Sequence, residues 1–146
     1  MGTTVITVII YKNKVYIGHI GDSRVYRIRK NIIRQLTKDQ SYVQALVDNG
    51  SITKEEAKNH PQRNVLLKVL GCESDVEADI ITKGFMKEDI LLICTDGLTN
   101  MIAANEIYDM IVANKHDVKF ASESLVIEAN KRGGYDNISV VLISNY

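Results

Sequence analysis

The chain has no excess of charge, few cysteines and no long apolar run, and each of these absences excludes a class of protein. The 18 basic and 18 acidic residues give a formal net charge of zero, which favours neither nucleic acid nor an anionic membrane as a partner. The longest apolar runs, Val5–Tyr11 and Ile90–Cys94, are too short to cross a bilayer, and the N-terminus lacks the pattern of a secretory signal. Cys72 and Cys94 have no metal-ligand spacing, which argues against a disulfide framework or a zinc site. We therefore expect a cytoplasmic protein.

Length and composition predict one domain without repeats or linkers. The chain has 146 residues, of which 45% are hydrophobic, and this is enough to build one core. β-Branched runs broken by short polar connections predict a β-meander from Thr3 to Leu36, and later apolar runs predict further strands. The predicted strands are Thr4–Tyr11, Val15–Ile20, Ser23–Ile28, Ile32–Leu36, Val76–Ile81, Ile90–Thr95 and Ile138–Ile143.

A helical segment separates the meander from the later strands. Apolar residues in Tyr42–Val47 recur at helical spacing, and Thr53 with Glu56 has the pattern of a capping box that starts a second short helix. The leucine-rich span Arg63–Leu70 predicts a further helical turn or two. We therefore interpret Gln40–Leu70 as a helical insertion between sheets.

Two amphipathic helices are predicted between the last two strands. Ile107 and Met110 mark the first helix, and Phe120 with Leu125 marks the second, which Asp117 is suited to cap. Early strands followed by a strand, two helices and a final strand predict an α+β fold. We expect a layered sandwich in which helices pack on the outside of antiparallel sheets.

Two loops centred on aspartate abut β-branched apolar runs, and they are the most informative feature of the sequence. Cys94-Thr95-Asp96-Gly97 follows one predicted strand, and Gly133-Gly134-Tyr135-Asp136-Asn137 precedes another. A strand fixes the position of a carboxylate, glycine lets the backbone turn sharply, and oxygen is the ligand that Mg²⁺ and Mn²⁺ prefer. The pattern therefore predicts part of a metal-dependent enzyme.

Five short motifs follow one another along the chain. They are Gly2-Thr3-Thr4, Gly21-Asp22-Ser23-Arg24, Leu36-Thr37-Lys38-Asp39, Asp96-Gly97-Leu98 and Gly133-Gly134-Tyr135-Asp136-Asn137-Ile138. None of them is specific alone. In this order and spacing the sequence resembles the bacterial branch of the metal-dependent, type 2C serine/threonine protein phosphatases.

The resemblance implies an α-β-β-α sandwich with a metal centre at one end of the two central sheets, and a mobile flap formed by Gln40–Leu70. The resemblance also implies that Asp96 and Asp136 correspond to metal ligands of the family. It further implies that Asp22, together with Asp96, would hold a third ion. Two bridged Mn²⁺ or Mg²⁺ ions in the complete domain would activate a water for in-line attack on phosphoserine or phosphothreonine. The implied partners are a phosphoprotein substrate and an opposing serine/threonine kinase.

The chain departs from the family pattern at its start, because Met1-Gly2-Thr3-Thr4 corresponds to a position in the middle of the family's domain. The segment that precedes this position in the family carries an arginine that grips phosphate and an aspartate that bridges both metals, and we find no substitute for either. We therefore expect residues 1–146 to form a single partial domain, an incomplete α-β-β-α sandwich that is the C-terminal portion of a phosphatase, with weak activity or none. We also expect the strand Thr4–Tyr11 to promote a dimer or a domain-swapped pair.

Each candidate residue is also compatible with a purely structural role. Asp96 could lie in a plain turn, Asp136 in an Asx-turn, and Asp22 in an ordinary hairpin connection that satisfies backbone amides. Arg24 is better suited to pair with a carboxylate than to bind substrate. His60 could donate a proton to a leaving group or only end a helix. The alternative function is a non-catalytic half-domain that binds a partner or a phosphoprotein.

Overall fold

Two antiparallel sheets pack against each other, and helices cover the outer side of one of them. The computed structural model describes residues 1–72 and 74–145. The strands among them are β1 (Val5–Tyr11), β2 (Lys14–Ile20), β3 (Arg24–Arg29), β4 (Ile32–Gln35), β5 (Asp79–Gly84), β6 (Ile90–Cys94) and β7 (Val140–Ser144). The helices are α1 (Tyr42–Asp48), α2 (Lys54–Lys58), α3 (Asp96–Thr99), α4 (Ala104–Ala113) and α5 (Val118–Lys131).

The strands form a three-stranded sheet, in the order β1-β2-β5, and a four-stranded sheet, in the order β4-β3-β6-β7. All neighbouring pairs are antiparallel. Lys30 and Asn31, which join β3 to β4, both have positive φ, of 45° and 62°, as in the type I′ turns whose twist matches the flanking strands. The connection Gly21-Asp22-Ser23 carries the chain from one sheet to the other. The four strands predicted as one meander therefore form two hairpins, β1-β2 in the three-stranded sheet and β3-β4 in the four-stranded sheet.

Apolar side chains from both sheets fill the space between them. Val15 and Ile17 of β2 pack in one cluster with Val25 of β3 and Leu91 of β6, and all four side chains are buried. Because side chains alternate along a strand, Tyr16 lies on the opposite face of β2 and is exposed. Burial of each large aliphatic side chain contributes about 1.5–3 kcal/mol. This core fixes the stacking of the two sheets.

A second core lies between the four-stranded sheet and the helices α4 and α5. Ile107 and Ile111 of α4 and Leu125 of α5 are fully buried in one cluster with Leu92 of β6. Residues four apart share one face of a helix, which is why α4 buries Ile107 and Ile111 together. Asp117 caps α5 by accepting a hydrogen bond from a backbone N–H. Both predicted helices are confirmed.

The outer face of the three-stranded sheet has no helical cover among the described residues. Ile9 of β1 is 59% exposed, and Ile80 of β5 is 75% exposed. The fold class is α+β, as predicted, and the layers present are helix, sheet and sheet. The resemblance implies helices on both outer sides of the complete domain and an incomplete sandwich for this chain; in residues 1–72 and 74–145, helices cover one sheet only. Within these ranges, no helix combines the length and the apolar character needed to cross a membrane.

The leucine-rich span Arg63–Leu70 is not helical, and the prediction was wrong. Leu66 forms a β-bridge with Ser41, and Leu70 forms one with Thr3. Backbone groups that a helix would have paired locally find long-range partners instead. The predicted insertion therefore contains α1 and α2 followed by an extended return.

The strand predicted over Val76–Ile81 forms three residues later, as β5. Pairing with β2 sets its limits, because Asp79 lies opposite His19 and Gly84 lies opposite Lys14. The apolar run alone did not reveal this register, since it depends on the partner strand.

An ion pair with a buried carboxylate connects β3 to the loop before β6. The carboxylate of Asp89 accepts hydrogen bonds from Arg29 Nε at 2.7 Å and from Arg29 Nη2 at 2.6 Å. It also accepts one from the Met86 N–H at 2.7 Å. Burial of the carboxyl opposes ionisation, but the hydrogen bonds from Arg29 and Met86 outweigh it and hold the pKa of Asp89 below its usual range.

Replacing Asp89 with alanine should destabilise the fold by about 2–4 kcal/mol, because Arg29 and the Met86 amide lose their acceptor. Urea denaturation near neutral pH measures this loss, and Asp109→Ala on the exposed side of α4 is the matched control. Since the folded pKa of Asp89 is lowered, its contribution is present above the unfolded pKa of about 3.9 and is lost as the pH falls through the folded value. A change no larger than that of the control would contradict the anchoring role.

Candidate metal centre

Hydrogen bonds hold the two aspartate loops together where β6 ends and β7 begins. The Thr95 N–H donates to the Ser139 carbonyl at 3.2 Å, and the Ser139 N–H donates to Thr95 Oγ1 at 3.0 Å. Thr95 Oγ1 in turn donates to the Asn137 carbonyl at 3.2 Å. The residues next to Asp96 and Asp136 are therefore fixed relative to each other.

Gly97 allows the two loops to approach this closely. A Cβ at this position would lie 2.2 Å from the carbonyl oxygen of Asn137, so a side chain would force the loops apart. Asp96 is the first residue of α3, and its carboxylate accepts a hydrogen bond from Asn100 Nδ2 at 3.3 Å. Asp96 thus lies between a buried strand and a short helix, rather than in a plain turn.

Asp136 lies in the loop between α5 and β7. Gly133 and Gly134 have positive φ, of 134° and 54°, and let the chain reverse after the helix. The Asn137 N–H donates to Asp136 Oδ1 at 2.7 Å, a local contact in keeping with a structural role in the turn. The residue is exposed, so its carboxylate has access to a cation as well.

Asp22 lies in the connection that passes between the two sheets. The preceding Gly21 has φ of +108°, and a Cβ there would lie 2.3 Å from Thr4 Cγ2. The Gly21 N–H donates to Gln40 Oε1 at 2.7 Å, and the Gln40 N–H donates to the Gly21 carbonyl at 2.9 Å. The half-buried Asp22 therefore extends from a turn that is held on both sides.

Burial and neighbouring carboxylates raise the pKa values of Asp22 and Asp96. Burial, followed by the negative charges of Asp96 and Asp39, raises the pKa of Asp22 to about 6. Burial, followed by the charge of Asp136, raises the pKa of Asp96. A bound cation would relieve this repulsion, and carboxylate oxygens are suitable ligands for a hard divalent cation.

Asp22, Asp96 and Asp136 line one cleft of about 800 Å³, but they do not close into a compact ligand set. Among the described residues, no three His, Cys, Asp or Glu side chains come close enough to hold one metal ion. Carboxylate oxygens are suitable donors for Mn²⁺ or Mg²⁺, but these three aspartates would supply only part of the coordination shell of such an ion. Further oxygen atoms from water or another segment would be needed to complete it.

Basic residues of the flap (residues 40–70) line the same cleft. Lys54 and Lys58 belong to α2, and Arg63 lies in the turn that follows it. Cations beside an acidic cluster favour an anionic ligand that touches both, such as a metal-bound phosphate. None of these basic residues lies in one of the five motifs, so no pattern in the sequence pointed to them.

Arg24 pairs with a carboxylate, as the sequence indicated. Arg24 Nε donates to Asp39 Oδ1 at 2.9 Å, and Arg24 Nη2 donates to Asp39 Oδ2 at 2.6 Å. Gln35 Nε2 donates to the same carboxylate at 3.1 Å. The guanidinium group is therefore engaged in joining β3 to the segment that leads into the flap.

His60 is not among the described residues that line the cleft. Its ring packs against Tyr42 with 6.1 Å between centroids, and its Nδ1 accepts a hydrogen bond from the Gln62 N–H at 3.1 Å. These contacts favour a structural role, in which His60 shapes the end of α2, over proton transfer to a leaving group.

Known proteins that are similar to the chain are bacterial phosphatases. The serine/threonine phosphatase stp of Listeria welshimeri is 44% identical over 143 residues, which are 98% of this chain and 56% of that protein. The structure of the Streptococcus agalactiae serine/threonine phosphatase matches with a TM-score of 0.95 and 36% identity, over 100% of this chain and 60% of that one. The catalytic domain of PstP in complex with two manganese ions matches with a TM-score of 0.87 and 33% identity. The match covers 97% of this chain and 58% of that one.

No family model matches the chain. The relatives nevertheless agree with one another in name and in fold, and the chain spans between 56% and 60% of the length of the three described above. The five motifs lie within the matched region, and the aspartates of four of them (Asp22, Asp39, Asp96 and Asp136) line one cleft. The chain belongs to the family of bacterial PP2C-type serine/threonine phosphatases.

Proposed function

We propose that this chain forms the part of a metal-dependent protein serine/threonine phosphatase that holds one side of its metal centre. The observation that carries the proposal is the rigid pairing of the Asp96 and Asp136 loops, with Asp22 on the same cleft. Fixed carboxylates on an open cleft suit hydrolysis of a phosphate ester that is assisted by divalent cations. The proposed substrates are phosphoserine and phosphothreonine residues of proteins.

The chain's own residues would bind the cations and orient the phosphate. Asp96 and Asp136 would hold an Mn²⁺ or Mg²⁺ ion, and Asp22 with Asp96 would contribute to a further one. When bound, such ions polarise the phosphate ester and lower the pKa of a water molecule. Lys54 and Arg63 of the flap would attract the phosphate from another side of the cleft. The two manganese ions of the PstP complex support this choice of metal.

A non-catalytic binding module is the second candidate function. It is favoured by the incomplete ligand set, since among residues 1–72 and 74–145 no three His, Cys, Asp or Glu side chains lie close enough together to hold one metal ion. In this case the basic flap residues and the weakly bound cations would retain a phosphoprotein without hydrolysing it. Turnover of a phosphate ester separates the two candidates.

The proposed partners follow from the proposed activity and from the exposed sheet. A phosphatase of this class would act on a phosphoprotein and oppose a serine/threonine kinase in the cytoplasm, with no role for nucleic acid. The uncovered outer face of the three-stranded sheet, with Ile9 and Ile80 exposed, favours association of two copies.

We expect the purified chain to bind Mn²⁺ weakly and to hydrolyse p-nitrophenyl phosphate slowly or not at all. Few anionic ligands give low affinity for hard cations. Asp96→Asn should weaken Mn²⁺ binding by at least about tenfold. Even replacement of a residue that only hydrogen-bonds to a metal ligand lowers metal affinity by about 10–100-fold. Calorimetric titration measures binding, and release of nitrophenol measures turnover.

The matched control for this experiment is Asp109→Asn, which changes an exposed aspartate of α4 that lies outside the cleft. Tight Mn²⁺ binding that survives the double change Asp96→Asn and Asp136→Asn would place the metal site elsewhere. Rapid Mn²⁺-dependent turnover that Asp96→Asn abolishes would show that the chain needs no further ligands.

Without metal, Asp22→Asn should stabilise the chain at about pH 7.5 by about 1–2 kcal/mol, a figure reduced for solvent screening of this half-buried carboxylate. The folded-state pKa of Asp22, about 6, is raised above the unfolded value of about 3.9. Protonation therefore favours the folded state, and the stability from the bound proton is lost as the pH rises through the folded pKa. The gain from Asp22→Asn should shrink as the pH falls and vanish near pH 4. Thermal unfolding across this pH range measures the gain in stability, with Asp109→Asn as the control. A gain from Asp22→Asn that is independent of pH would contradict a raised pKa of Asp22.

We expect a dimer at micromolar concentration, in which a second copy covers the outer face of the three-stranded sheet. The double change Ile9→Lys and Ile80→Lys should shift sedimentation toward the monomer, because charge on this face opposes apolar contact and edge pairing. Ile127→Lys on α5, at a residue that is also exposed, is the control and should leave association unchanged. A stable monomer of the unmodified chain would contradict the proposal.

A further inference from the structure

Three arginines lie on one face of the hairpin formed by β3 and β4. Arg27 and Arg29 are two residues apart on β3, and Arg34 of β4 pairs directly with Arg27. Residues two apart on a strand point to the same face, and so do residues directly opposite each other in an antiparallel pair. None of the three arginines lines the cleft of the candidate metal centre. The hairpin therefore gathers positive charge away from that cleft.

Within the described part of the chain, Arg29 is the one member of this set that has a carboxylate partner, Asp89. Arg27 Nη1 donates to the Gly84 carbonyl at 2.9 Å, and Arg29 Nη2 donates to the same oxygen at 3.1 Å. The buried Nε of Arg27 has no acceptor among residues 1–72 and 74–145. Over the same ranges, neither Arg27 nor Arg34 forms an ion pair. Two cations thus lack an anion.

The positive charges of the three side chains oppose one another. Burial, followed by the charge of Arg29, lowers the pKa of Arg27; Asp89 acts against this shift, and Arg34 adds to it. Like charges directly opposite each other on neighbouring strands are destabilising. An anion bound to both Arg27 and Arg34 would offset this repulsion.

A purely structural role accounts for only part of the Arg27 geometry. The aliphatic part of an arginine often covers apolar surface while its charged group stays in water. This explains the contact of Arg27 with the Gly84 carbonyl, but it does not explain a buried Nε–H without an acceptor. Buried donors are normally paired, because an unpaired one is costly. The head group of Arg27 therefore has more donors than the surrounding chain uses.

We propose that Arg27 and Arg34 form a binding site for a phosphoryl group, with Arg29 held beside them by Asp89. The planar guanidinium group presents parallel N–H donors that match the oxygen atoms of phosphate. Two uncompensated cations favour a dianion over a carboxylate, because a phosphoryl group carries about −1.5 to −2 charges near neutral pH. The site is independent of the proposed metal centre, since none of its residues lines that cleft.

The experiment is a titration of the metal-free chain with inorganic phosphate, followed by NMR at an ionic strength held constant with sodium chloride. Constant ionic strength keeps the general screening of charges equal throughout. The amides of Arg27 and Arg34 and the Nε–H of Arg27 should shift together along one saturable curve. The amides of Lys54 and Arg63, which line the other cleft, report separately on any phosphate bound there.

Arg34→Gln should weaken the phosphate affinity measured at the Arg27 amide by at least about tenfold, as expected for the loss of one charge-assisted hydrogen bond. Arg34 is exposed on the edge strand β4, so this variant should fold. Arg34→Lys keeps the charge without the planar group and should recover only part of the affinity. Lys131→Gln, which removes an exposed cation of α5, is the control and should leave the affinity unchanged.

The proposal is overturned if phosphate produces no saturable shift at Arg27, or if Arg34→Gln binds phosphate as tightly as the unmodified chain. Sulfate, a dianion of the same shape, tests the site without any variant and covers the case in which Arg34→Gln does not fold. Sulfate should displace phosphate from Arg27, and a failure to compete would also overturn the proposal. Asp96→Asn should leave phosphate binding at Arg27 unchanged, so this site and the proposed metal centre succeed or fail separately.

A peptide that contains one phosphoserine separates the two sources of the phosphoryl group. Shifts at Arg27 and Arg34 with inorganic phosphate alone assign the site to the free ion. Shifts with the phosphopeptide as well assign it to a phosphorylated protein segment. In both cases the proposed chemistry holds, whereas an equal response to the same peptide without phosphate would contradict it.

Discussion

The close contact between Gly97 and the Asn137 carbonyl is the constraint on which the candidate metal centre depends. A Cβ would lie only 2.2 Å from that oxygen, so the loops meet only because one residue lacks a side chain. Thr95 adds hydrogen bonds to Ser139 and Asn137 across the same junction. Two segments that lie about forty residues apart in the sequence are thereby fixed before any ligand binds, and rigid strands supply the precision that a metal site requires.

This precision is obtained at an electrostatic cost. The charge of Asp136 helps to raise the pKa of Asp96, and Asp96 with Asp39 helps to raise that of Asp22. A fold that holds like charges together is stabilised by any ligand that neutralises them, since binding and folding share the same free energy. Arg24 relieves only part of the repulsion, because Asp39 already engages it with two hydrogen bonds. The cleft is therefore suited to cations.

The sequence predicted those features that depend on local chemistry and missed those that depend on distant partners. The strands, the helices α4 and α5 and the loops of Asp96 and Asp136 follow from hydrophobic periodicity, capping residues and glycine. Arg63–Leu70 has helical periodicity, yet bridges to other segments keep it extended. Gln40 lies outside the motifs, and its role appears only when the turn at Gly21 is beside it. The ligand roles of Asp22, Asp96 and Asp136 stay predictions that the shared cleft supports.

The turn that carries Asp22 is also held by the first two strands of the three-stranded sheet. Strand β2 runs from the three-stranded sheet directly into the turn of Asp22, and β1 pairs with β2 along its whole length. At the start of β1, the Thr4 hydroxyl lies 2.9 Å from the Ser23 hydroxyl, one residue beyond Asp22. These contacts join the edge strand of the three-stranded sheet to the turn that carries Asp22, so a displacement of β1 would disturb that turn.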